Sequence, residues 1–126
     1  MPDDATRDTG PQGRPLDELC EYVLDVHHGY AHGALPLIRG HLASLAERDP
    51  AFDAVQSAFI ALAAHLDSHL AKEELILFPA LAALAEAERQ GAGRPPLAFP
   101  TVLHPIRLME AEHAQLAEDL ARLRAA

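Results

Sequence analysis

Apolar residues recur every three or four positions along three stretches of the chain, the pattern of helices that bury one face. Between Pro15 and Arg48 the in-phase positions are Leu24, His28, Ala31, Leu35, Ile38, Leu42 and Leu45. Between about Ala51 and Arg89 they are Phe52, Val55, Phe59, Leu62, Leu66, His69, Glu73 and Ile76. A third helix, starting near Pro105 and running to the C-terminus, carries the stripe Val102, Ile106, Met109, His113, Leu116, Leu120 and Leu123. Punctuation supports these limits. Pro15 suits a first helical turn, with Asp17 and Glu18 complementing the positive helix end. Asp49-Pro50 marks a break, because a residue before proline avoids the α region. The run GAGRPPLAFP, residues 91–100, has loop composition. Long helices, short connections and no alternating strands predict an all-α antiparallel helical bundle.

Pro36 and Pro79 fall inside the first two helices and predict kinks, or a break near Pro79, since each removes a backbone donor and crowds the preceding turn. Gly29, Gly33 and Gly40 weaken the first helix as an isolated element, so packing or ligation must hold it. Residues 1–14 are polar and rich in Gly, Pro, Asp and Thr, and are expected to form a disordered tail ahead of a helical domain over 15–126.

The informative feature is what interrupts the stripes. Each helix turns at least one metal-ligand type of side chain toward the core: His28 in the first, His69 and Glu73 in the second, His113 in the third. A lone in-phase histidine is ordinarily a hydrogen-bonded core residue. Three helices showing one, with a His-x-x-x-Glu pair among them, point instead to a bound cation. A buried glutamate without a partner is costly, and a cation accepts the carboxylate and neutral imidazoles together. His69 and Glu73, four residues apart, lie one above the other and can reach the same ion or adjacent ions. Imidazole with carboxylate suits iron, and also zinc or manganese. His65, one turn before His69, and Glu110, in an E-x-x-H pair with His113, are reserve ligands. His27, His32 and His41 read as surface or supporting groups, His104 as a helix-start residue, and Cys20 as a small buried hydrophobe.

Composition narrows the partners. The 126 residues suffice for one domain with a real core. A formal net charge of −9 argues against nucleic acid and anionic membrane surfaces. No apolar run approaches the roughly 18 residues of a membrane span. The acidic, polar N-terminus does not read as a secretory signal, so the cytoplasm is the expected compartment. A single cysteine allows no internal disulfide. Phosphate loops, nucleophile elbows and cysteine clusters are not found.

The segments HHGYAHGALPLI (27–38), HLAKEELILFP (69–79) and PIRLMEAEH (105–113) resemble the hemerythrin-like HHE cation-binding domain, with greatest similarity to the di-iron branch concerned with repair of iron centres. The second segment is the most specific, being similar to the family's HxxxEExxLFP helix. The resemblance covers about residues 15–120 and implies a four-helix bundle holding two non-haem irons through imidazoles and bridging carboxylates. By position His28, His69, Glu73 and His113 resemble family ligands, with Glu73 bridging. The family's fourth helix, carrying a second HxxxE pair, has no counterpart here: the bundle is expected to show three long helices of the usual four. Three consequences follow as alternatives. A second copy of the chain or a partner helix completes the bundle, the site is mononuclear, or the chain is a truncated form with residual metal binding.

The expected function is a non-haem iron protein that binds or reacts with O2, NO or peroxide, or holds iron for repair of iron centres or a stress response. The same donor set serves storage, sensing and catalysis, so it does not make the chain an enzyme. The competing expectation is a helical interaction module, metal-free or holding structural zinc, whose open groove receives a partner helix.

Overall fold

The computed structural model describes residues 14–97, 101 and 103–126. The expected tail, except Arg14, and the end of the 91–100 loop lie outside the described residues. Those described form helices and connections, with no strand among them.

The chain builds three antiparallel rods. In the first, α1 (Leu16–Tyr22) continues through a π turn (Val23–His28) into α2 (Gly29–Arg48). It ends where the sequence required: Asp49 is extended, its carboxylate accepts from the Ala51 N–H at 3.0 Å, and Pro50 opens a 3-10 turn to Phe52. In the second rod α3 (Asp53–Lys72) passes through another π turn (Glu73–Leu77) into α4 (Phe78–Arg89). Gly91, at φ 67°, stops it, with the Gly91 and Ala92 N–H groups returning to the carbonyls of Glu88 and Ala87. The third rod is α5 (Leu103–Ala125), whose first turn is held by the Thr101 hydroxyl accepting from the Leu103 N–H.

Of the proline expectations, the break needs correction. No break occurs near Pro79. The wider π turn ends at Leu77, so Pro79 falls in the first turn of α4, where its missing N–H is tolerated. α2 likewise continues past Pro36, which is exposed, so water can reach the carbonyl it leaves unpaired.

α2 and α5 both pack on α3, and α1 packs on α4. Leu35, Phe59 and Ala63 form the buried cluster where α2, α3 and α5 meet, with Leu42, Leu66 and Leu123 against it. Toward the other end of the first two rods Cys20, Leu77 and Ala80 are buried, and Arg89 ties α4 to Asp17 of α1 at 2.9 Å. Burial pushes the Cys20 thiol upward, as fits a small hydrophobe. Between these apolar zones, at the level of both π turns, lie the buried histidines. No described helix is long and apolar enough to cross a membrane.

Candidate metal centre

The two π turns bring the donors together. The first ends on His28 and the second begins on Glu73, so each widened turn sits at a residue that faces the other rod. His28, His69 and Glu73 are 3%, 2% and 8% exposed. His28 Nε2 lies 2.9 Å from Glu73 Oε1. His69 Nε2 lies 3.2 Å from the other oxygen, Oε2, and His113 Nε2 lies 3.8 Å from that same atom. The His69 and His113 rings sit 4.5 Å apart, and His28 stacks on Phe78 at 5.7 Å. His69, Glu73 and His113 each offer an atom within 4.8 Å of the others.

The far sides of the two buried rings are also occupied. His28 Nδ1 meets Glu74 Oε2 at 2.7 Å, and His32 Nε2 reaches the same oxygen at 2.7 Å. His69 Nδ1 meets Glu112 Oε1 at 2.9 Å, while the Lys72 ammonium holds Glu112 Oε2. The bond from His32, then that from His28, keeps Glu74 below the usual carboxylate range despite partial burial. At Glu112 burial pushes upward but is outweighed by the bonds from Lys72 and His69, and the net direction is down.

These contacts fix a polarity. An ionised carboxylate only accepts, so the Nδ1 atoms of His28 and His69 are the donors. In neutral rings the two Nε2 atoms then carry lone pairs, and both face the lone pairs of Glu73. His69 Nε2, though near Glu73, has no hydrogen-bond partner among the described residues. A cation satisfies such a convergence of acceptors in a buried place, and the donor spacings are those of groups sharing an ion bound at about 2.0–2.2 Å. The residues therefore fit a metal.

A cleft of about 410 Å³ adjoins the donors, lined also by Val23, Ala31, Leu66, Phe78 and Leu116. It opens between the first rod and α5, where the His113 side chain is largely exposed. A small neutral ligand can approach the donors through it against apolar walls.

The structure brings His69, Glu73 and His113 together and sets His28 against the second oxygen of Glu73. It does not bring the two reserve residues to them. Glu110 is exposed, and His65 turns its Nδ1 to Asp119 at 2.5 Å. Glu74 and Glu112 were missed as supports of the inner rings. Glu112 sits three residues after buried Met109, a spacing that a search for carboxylates behind histidines could have used.

The third stripe also needs correction. Asp119 is buried while Leu120 is partly exposed, so the face packed on α3 runs through Met109, Glu112, Leu116, Asp119 and Leu123. His113 stands on its flank. Asp119 is satisfied by His65, by Gln115 at 3.1 Å and by Arg122 at 2.5 Å. The bond from His65 is the main cause of its carboxyl falling from 3.8 to about 2. A depressed folded value means stability that is complete above 3.8 and fades as pH falls toward about 2. Asp119→Asn is therefore expected to cost about 1–3 kcal/mol at pH 7. The deficit should shrink in thermal melts as pH falls through that window; an equal deficit at both ends would contradict this account.

Residues 21–126 match the hemerythrin HHE cation binding domain. The chain belongs to that family. The match spans the second and third rods, the first from residue 21 onward, and every donor named above. It agrees with the fold, an all-α bundle of hemerythrin type with three long helices, and with cation binding as the family's property. No curated protein and no solved structure matches the chain.

Proposed function

We propose that this hemerythrin-family chain is a non-haem iron protein whose ion is held by His69, Glu73 and His113. Glu73 turns its second oxygen to His28, and these two side chains would hold a second ion. The observation that carries this reading is the buried convergence of ring nitrogens on Glu73, with His69 Nε2 left without a hydrogen bond. When bound, iron supplies ligand binding and one-electron chemistry toward a small molecule such as O2, NO or peroxide. The chain's own residues do the rest. Glu74 and Glu112 hold the inner rings, Phe78 packs on His28, and the largely apolar cleft leaves an approach beside His113. Iron storage for repair of iron centres uses the same donors, and HLAKEELILFP supports that branch of the family.

Native mass spectrometry with metal analysis, on protein expressed with ample iron, tests the proposal. One tightly held iron per chain is expected, with a second lost readily on desalting. Spectra before and after dithionite separate iron from colourless, redox-silent zinc. Protein that takes up no metal would overturn the reading in favour of a helical interaction module. The same spectra count chains, and a dimer would support a second copy covering the open side of the cleft.

A further inference from the structure

The outer side of His69 carries an arrangement that the metal donors do not require. α5 places two consecutive residues on opposite duties: His113 stands in the cleft, while Glu112 reaches behind the His69 ring. Glu112 spends one oxygen on His69 Nδ1 at 2.9 Å and the other on the Lys72 ammonium. Lys72 lies on α3, one turn past His69, so both partners of the carboxylate come from one helix and its orientation is set from two points. A surface ion pair would need only Lys72. The bond to a ring that is 2% exposed is the added element.

We infer that Glu112 is the positioning residue of His69, anchored by Lys72. It fixes the tautomer that presents the Nε2 lone pair inward and prevents the ring from turning. A histidine that binds a metal through one nitrogen is oriented by what its other nitrogen donates to, and loss of that partner weakens metal affinity by roughly 10- to 100-fold. Because Glu112 belongs to α5, docking of α5 on α3 then controls the aim of a donor on α3 as well as delivering His113. The same construction stands across the cleft, where Glu74 accepts from His28 and is itself held by His32.

The inference rests on the metal reading above, and the experiment separates the two. The full chain is titrated with Co(II) against a competing chelator, followed by its visible absorption. Glu112→Ala is expected to weaken Co(II) binding by about 10- to 100-fold. Glu112→Gln, whose amide oxygen can still accept from Nδ1, is expected to recover a large part of it. The metal-free melting temperature should change little in Glu112→Gln, which also serves if the alanine variant fails to fold. Binding by Glu112→Ala equal to that of the parent overturns the positioning role and leaves the metal reading intact. A parent chain that binds neither Co(II) nor iron overturns both.

Discussion

Loading the protein with iron is expected to raise its melting temperature by about 10–20 °C, and Glu73→Ala is expected to lose nearly all of that gain. A ligand that binds only the folded state stabilises it by the logarithm of its concentration relative to the dissociation constant, about 4 kcal/mol at a thousand times that constant. For a chain of 126 residues each kcal/mol moves the midpoint by about 3–5 °C. Glu73 is the point on which His28, His69 and His113 converge, so its loss removes the centre of the donor set. The metal-free protein should be less affected, because removing a carboxylate from a buried place also removes the cost of desolvating it. Calorimetry of loaded and stripped samples gives the gap directly. A parent protein whose two melts coincide would refute the expectation.

Phe59→Ala is expected to destabilise the fold by about 3–5 kcal/mol. That is a large share of the roughly 5–15 kcal/mol that holds an ordinary domain together. Phe59 is 3% exposed and sits against Leu35 and Ala63 where three helices meet, so little around it can collapse into the space. The same cluster seats Leu123 of α5, and loosening it also loosens the helix that carries Glu112 and His113. Urea unfolding of the metal-free protein measures the cost. A loss below about 1 kcal/mol would mean that the cluster is not packed as described.

The sequence made the three rods legible because their limits rest on local chemistry. Asp49-Pro50 and the glycine-proline loop act within a few residues of themselves, and the structure places the ends there. His69 and Glu73 were legible for the same reason, since four-residue spacing on one helix places them on one face whatever surrounds them. Misreadings arose where a partner on another helix decides. Asp119 is buried because His65 meets it from α3, and no pattern within α5 announces that; the neighbouring Leu120 drew the stripe one position away. The E-x-x-H spacing points to Glu110 as a reserve ligand, whereas the rotation of α5 on α3 turns Glu112 to His69. The three-and-four spacing turns Ile76 inward, but the π turn accommodates an extra residue, and Leu77 and Ala80 take the buried phase.

Those two widened turns also bear on how the chain tolerates change. An extra residue in a helical turn sets the rotational offset between the segments before and after it, independently of which residues fill it. α1 and α4, which pack on each other, lie on the far sides of both offsets from the helices that form the main core. Substitutions within the turns leave that alignment in place. A one-residue deletion in either would change that offset and disturb the packing of α1 on α4 while sparing the cluster around Phe59. Apart from the identities of His28, Glu73 and Glu74, which the donor set needs, it is the length of these stretches that the gene must preserve.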